Sequence, residues 1–144
     1  MAASESGDSS SSPTNANQTL IIHCSVDDES ASTSKVIITG FIKYSYRHLY
    51  FYTKKGKVVE KDPCCILDFY VLETIQRKGI GHQLLEHVLA IESDRTGVGS
   101  FDQCCYDRPS PKLIAFIKKN YKSTKENLQP NKFMIFDQFI NQLG

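Results

Sequence analysis

Apolar side chains along the chain change period near its middle. Residues 1–18 (MAASESGDSSSSPTNANQ) carry almost none. Such a stretch cannot bury enough surface to offset the entropy of ordering, so a disordered Ser-rich tail is expected there, with the folded domain over 19–144. Residues 19–24 (TLIIHC), 36–46 (VIITGFIKYSY) and 48–53 (HLYFYT) are β-branched and aromatic and predict strands, and 54–57 (KKGK) reads as a turn. Residues 64–72 (CCILDFYVL) form a nearly continuous apolar run, the pattern of a central strand buried on both faces.

The 3.6-residue period then takes over. Ile80, Leu84, Leu85, Val88, Leu89 and Glu92 fall on one stripe and predict a helix over about 79–93. A loop over 94–100 leads to a short strand over 101–106, ended by Asp107-Arg108-Pro109. Ser110 suits an N-cap and Pro111 the first helical position, with Leu113, Ile114, Phe116, Ile117 and Tyr121 as the buried face of a second helix. Residues 132–139 (KFMIFDQF) read as a closing strand. The order β-β-β-β-α-β-α-β implies an α/β sheet with at least one parallel pair, and 144 residues suffice for one domain.

Charge is unevenly distributed. Residues 1–34 hold five acidic side chains and no Lys or Arg, while residues 35–144 hold the other 11 acids and all 17 bases. A +6 body suits an anionic ligand or an acidic partner. Nucleic acid is the weaker reading, because the bases are scattered and no Arg-rich run or RNA-binding aromatic motif occurs. No apolar run approaches the roughly 20 residues of a membrane span, and the polar N-terminus lacks the features of a secretory signal, so a cytosolic protein is expected.

The five cysteines are Cys24, Cys64, Cys65, Cys104 and Cys105. An odd number without C-x-x-C argues against a disulfide framework or a zinc site, and no metal is expected. Neighbours on a strand point to opposite faces, so each Cys-Cys pair is expected to place one thiol in the core and one outside.

The stretch Gln76-Arg77-Lys78-Gly79-Ile80-Gly81-His82 joins the buried strand to the amphipathic helix. A helix N-terminus aims unpaired N–H groups outward and makes an anion site, glycines let a phosphate approach the backbone, and Arg77, Lys78 and His82 add donors. A tight turn that simply needs glycine explains the same residues. The dinucleotide fingerprint fails because position 84 is Leu, and no P-loop G-K-[ST] is present.

A Gln-Arg-x-Gly-x-Gly turn after a buried strand resembles the pyrophosphate motif of the GCN5-related N-acetyltransferases. Three stretches extend the likeness: Cys65-Ile66-Leu67-Asp68-Phe69-Tyr70, the turn itself, and Asp107-Arg108-Pro109-Ser110-x-Lys112-Leu113. Together with Gly40-Phe41-Ile42-Lys43 and Phe133-x-Ile135-Phe136, they resemble the signature of α-tubulin N-acetyltransferases over roughly residues 36–140. The resemblance implies a mixed sheet flanked by helices. It also implies acetyl-CoA as co-substrate, and acetylation of an α-tubulin lysine on the lumenal side of microtubules in the cytoplasm. By position it makes Cys65 and Asp107 catalytic. It assigns cofactor binding to Phe69, Tyr70, Val71, Gln76, Arg77, Lys78, Gly79, Ile80, Gly81, His82, Ser110, Lys112 and Lys119.

Those residue types fit the chemistry. A lysine amine is neutral in only about one molecule in two thousand at pH 7, so a base must take its proton before it attacks a thioester. Asp107 can serve, directly or through water, and Cys65 can share or pass on the proton. Backbone N–H groups over 69–71 can polarise the thioester oxygen. Direct transfer in a ternary complex is expected. The bland readings stand beside these: Asp107 as a strand-end residue, Cys65 as core. Asp68, a carboxylate in an apolar strand, is costly unless paired and is a substrate-binding or structural candidate. Strict alternation puts it opposite Cys65, unless a bulge resets the parity. Glu73 reads as a solvated rim residue, and His23, His48 and His87 as structural or exposed.

The family carries another strand and two helices before the strand at 19–24, where a short tail is expected here. Hence a second reading, a non-catalytic microtubule- or acetyl-CoA-binding remnant. A third, an acetyltransferase for another amine, loses ground because the likeness extends well beyond the cofactor turn.

Overall fold

The computed structural model describes residues 2–6, 17–27, 35–75, 79–97, 99–121 and 125–144. Its main sheet contains β1 (Ala2–Ser6), β2 (Gln18–Asp27), β3 (Lys35–Tyr46), β6 (Cys64–Val71), β7 (Cys105–Asp107), β9 (Phe133–Phe136) and β8 (Glu126–Leu128), in that spatial order. Every neighbouring pair is antiparallel except β6–β7, which is parallel. β4 (Leu49–Tyr52) and β5 (Val58–Lys61) form a separate two-stranded hairpin. The helices are α1 (Ile80–Thr96), α2 (Pro111–Asn120) and α3 (Asp137–Gln142).

Several local expectations hold, and their causes are visible. Ser110 caps α2, its Oγ accepting from Leu113 N–H at 3.1 Å, with Pro111 in the first turn. α1 presents Leu84, Leu85, Val88 and Leu89 to the sheet and stops at Gly97, which takes the left-handed conformation and returns its N–H to Ser93 O.

Elsewhere the structure differs. The expected tail contains β1, which pairs with β2 from Ala2↔Ile22 to Ser6↔Gln18. An open strand edge offers unpaired backbone groups, and β1 satisfies those of β2 whatever its own side chains. The short strand expected over 101–106 is a 3-10 turn at Phe101–Gln103 followed by β7. The closing strand ends at Phe136 and the chain turns into α3. β5 and β8, of four and three residues, were not expected from the sequence.

The middle of the sheet is buried on both sides, while Val26, Val36, Ile37 and Ile38 at one end of β2–β3 are exposed. One cluster joins Ile42, Tyr44, Cys64, Ile66, Leu84, Leu85, Val88, Cys104, Tyr106, Ile117 and Phe136 beneath the helices α1 and α2. The other joins Phe51, Cys65, Cys105, Phe133, Ile135, Phe139 and Ile140 beneath the hairpin and α3. This overturns the expectation for the Cys-Cys pairs. Adjacent thiols do point to opposite faces, but each face has a core, so Cys64, Cys65, Cys104 and Cys105 are all fully buried. Phe51 carries the hairpin onto the second core, its ring 5.1 Å from that of Phe139. Gln129 braces it further: its side-chain amide bonds Tyr52 N–H at 2.8 Å and Tyr52 C=O at 3.2 Å, as a neighbouring strand would.

Candidate active site

The parallel pair β6–β7 organises the candidate site. Its registered partners are Cys65↔Cys105 and Ile66↔Tyr106. β7 ends one residue later at Asp107, while β6 runs on to Val71, so the two strands part company beyond Ile66. α1 follows β6 and α2 follows β7. Both helix N-termini therefore stand at the carboxyl ends of parallel strands, where open α/β sheets bind ligands. The two ends lie close together. Lys112 Nζ in the first turn of α2 is 4.0 Å from Glu73 Oε1 after β6, and the Phe69 and Phe116 rings are 5.4 Å apart.

At the start of α1, Gly79 sits in the left-handed region at φ 82°, and its C=O accepts the first helical bond from Gln83 N–H at 3.0 Å. The N–H groups of Ile80, Gly81 and His82 precede that bond and belong to the unpaired helix end. Gly81 is buried. A Cβ there would meet Phe69 at 3.1 Å and Phe116 at 3.2 Å, so close packing requires glycine independently of any ligand. His82 is half-buried, its ring 5.8 Å from that of Tyr121. Its Nδ1 is buried without a partner among the described residues. Gln76, Arg77 and Lys78 lie outside the described residues. Lys112 and Lys119 are exposed on α2, and the hydroxyl of Ser110 is engaged in the cap.

The candidate catalytic residues lie on the other side of the sheet. Cys65 belongs to the second core, and its thiol donates to Pro63 C=O at 3.4 Å. Asp107 is two residues beyond Cys105 and thus on the same face. It is partly exposed, and Arg108 Nε lies 3.7 Å from Oδ1. Just beyond it the backbone is forced: Arg108 (φ 42°) and Lys132 (φ 73°) both adopt left-handed conformations. Arg108 N–H bonds Lys132 C=O at 3.1 Å. This kink ends β7 and turns the chain toward α2.

Asp68 requires a correction. The β3–β6 register shifts between Lys43 and Tyr44, so Lys43 faces Asp68 and Tyr44 faces Ile66, leaving Leu67 as the extra residue of a bulge. The bulge resets the parity, and Asp68 shares the face of Cys65 instead of opposing it. Lys43 Nζ meets Asp68 Oδ2 at 2.9 Å, which supplies the partner a carboxylate in this strand needs. Tyr70, exposed on the same face, pairs with Phe41 at 5.8 Å between centroids. Phe69 and Val71 pack instead on the helix side.

The structure also brings in residues that the sequence did not single out. Ser45 stands opposite Cys65 on β3, is buried, and its Oγ has no partner among the described residues. Cys105 flanks Cys65 on β7. The second Cys-Cys pair was the available signal for Cys105, once the parallel pairing was known. Ser45 had no comparable signal.

The mixed sheet, parted at its parallel pair with a helix N-terminus on each limb, is an N-acetyltransferase fold. Solved structures share it. One described as a mutant form of the AtaT toxin superimposes with TM-score 0.59 at 14% identity, covering 88% of this chain and 71% of that one. One described as AtaTR bound with AcCoA does so with TM-score 0.53 at 13% identity, covering 88% and 73%. The chain belongs to the family described as GNAT acetyltransferase, Mec-17, which matches residues 9–143. Relatives named α-tubulin N-acetyltransferase include one from Phytophthora infestans, 39% identical over 90% of this chain and 66% of its own length. One from Tetrahymena thermophila is 43% identical over 70% of this chain and 24% of its own length. A third, α-tubulin N-acetyltransferase 1 of Danio rerio, is 38% identical over 72% and 33%. The chain thus spans less than two thirds of the length of each of these relatives. Among the described residues no helix is long and apolar enough to cross a membrane.

Proposed function

We propose that the chain transfers the acetyl group of acetyl-CoA to a lysine side chain of α-tubulin on the lumenal side of microtubules, in a ternary complex, in the cytoplasm. The observation that carries this reading is the parting of β6 and β7. It leaves an opening with two helix N-termini on one side of the sheet and Cys65, Asp68 and Asp107 on the other.

Bound acetyl-CoA supplies an activated acyl group. The residues suit it: the unpaired N–H groups of Ile80, Gly81 and His82, with Gln76, Arg77 and Lys78, would take the pyrophosphate. Lys112, Lys119 and the N-terminus of α2 would take the remaining phosphate or the pantetheine end. Backbone over Phe69, Tyr70 and Val71 would line the thioester. On the opposite face Asp107 would accept the proton of the substrate ammonium, directly or through one water, and Cys65 would share or relay it. Asp68, turned toward that face by the bulge and held by Lys43, would border the incoming lysine. Attack of the neutral amine on the thioester carbonyl then forms the amide and releases coenzyme A.

The full burial of Cys65 favours a second reading, a non-catalytic acetyl-CoA- or microtubule-binding member of the family. Incubation of the chain with acetyl-CoA and polymerised microtubules, followed by detection of acetyl-lysine on α-tubulin, separates the two. The enzyme reading expects a signal that disappears with Asp107→Asn. A folded sample that binds acetyl-CoA but gives no signal sinks it and leaves the second.

A further inference from the structure

Cys65 and Cys105 are direct partners across the parallel pair and share one fully buried cluster. Adjacent strands run about 4.8 Å apart, inside the roughly 4.4–6.8 Å between Cα atoms that a disulfide spans. The Cys65 thiol is near enough to raise the pKa of the Cys105 thiol. We infer that this pair is an oxidation site, closing to a reversible Cys65–Cys105 disulfide when the chain meets a peroxide.

The reaction balances without any other partner. One thiolate attacks a peroxide oxygen and becomes a sulfenic acid, releasing water or an alcohol. The second thiol attacks that sulfur, the S–S bond forms, and a molecule of water leaves. Two thiols are oxidised and one peroxide is reduced. Burial, and then the Cys65 thiol beside it, pushes the Cys105 thiol well above its ordinary range, so Cys105 stays protonated in the closed structure. Oxidation therefore proceeds from an opened state. β7 is the element to open, since it has three residues and only two registered pairings with β6.

The consequence for activity rests on the acetyltransferase reading. Once oxidised, Cys65 has no S–H to give Pro63 or to relay, and β7, which ends in Asp107, is tied to β6. The sheet supplies its own control. Cys64 and Cys104 lie in the helix-side cluster, where Cys104 precedes β7 and falls outside its registered pairs with β6.

The test treats the reduced full chain with hydrogen peroxide. It reads intact mass, alkylation of thiols under denaturing non-reducing conditions, and acetyl transfer before and after. The wild type is expected to lose about 2 Da, the two hydrogens of a disulfide. Of its five free thiols, two become unalkylatable, and transfer falls with them and returns with dithiothreitol. Cys104→Ala should behave like the wild type. Cys105→Ala, or Cys105→Ser should the alanine variant not fold, should transfer normally and be spared the reversible loss. Wild type that keeps all its thiols alkylatable overturns the proposal, as does Cys105→Ala that loses thiols and activity as fast as the wild type. If no transfer is present before oxidation, the acetyltransferase reading has failed, and mass and alkylation still decide the disulfide.

Discussion

The two faces of the seven-stranded sheet are finished in different materials. Under the helices, branched and aromatic side chains interlock: Leu84, Leu85, Val88, Ile117 and Phe136 are each at most 1% exposed. Glu92, a fully buried carboxylate on that side, is met by Tyr44 OH at 3.2 Å and Arg95 Nη1 at 3.3 Å. Under the hairpin, the cover is smaller and chemically mixed. It holds two thiols, the Ser45 hydroxyl without a partner among the described residues, amide braces from Gln129 and Asn131, and the Lys43–Asp68 pair at the margin. A dense apolar face supplies rigidity, although Glu92 Oε1 is buried there without a partner among the described residues. Cys65 and Asp107, the residues proposed to move the proton, lie on the other face.

That division of labour can be broken from either side. Asp107→Asn should lower transfer by about 10²–10⁴-fold, the range for a lost general base, with acetyl-CoA affinity and thermal midpoint near those of the wild type. Unchanged turnover would remove Asp107 as the base. Phe136→Ala should do the converse and cost about 3–5 kcal/mol in urea unfolding. Its ring meets Phe101 at 5.3 Å and Tyr106 at 5.5 Å. The molecules that remain folded should still turn over, and a chemical step that collapses in fully folded Phe136→Ala would erase the distinction between the faces.

Gly81→Val joins the two effects, because its side chain would press on Phe69 and Phe116 as well as on a phosphate. Acetyl-CoA binding measured by calorimetry should weaken at least tenfold, about 1.4 kcal/mol. Gly79→Ala sharpens the reading, since nothing lies within 4 Å of its Cβ and only the left-handed backbone resists it. Intact affinity in Gly81→Val would move the phosphate site elsewhere. The smallest effect belongs to Ser110→Ala, which removes the cap of α2 and should cost about 1 kcal/mol of stability. A much larger loss of acetyl-CoA affinity than of stability would show that the hydroxyl also reaches the ligand.

Long periodic segments were legible. The apolar run of β6, the α1 stripe and the Ser110-Pro111 start of α2 each carry enough repeats, or a specific enough cap, to name their structure. Short elements were not. Glu126–Leu128 is a strand only because β9 offers it an edge, and Asp137–Gln142 is a helix although its Phe139 and Ile140 equally suit a strand. The sequence offers candidate site residues but not their arrangement. Placing Asp68 beside Cys65 depends on the bulge at Leu67, a property of pairing with β3 that no local pattern encodes. The depth of Cys65 depends on a second core assembled from Phe51 and Phe139, nearly ninety residues apart in sequence.

The amide bracing of the hairpin has an evolutionary consequence. Strands held by a ladder are tied to their neighbours residue by residue, so an insertion shifts every contact that follows. β4–β5 is moored by Phe51, Leu49 and a few side-chain amides, and the tip of its connecting turn (KKGK) is exposed. Its tip can lengthen, shorten or change charge without moving Cys65 or Asp107. The segment beside the candidate site is thus free to vary, and a natural place for a descendant of this fold to acquire a new substrate preference.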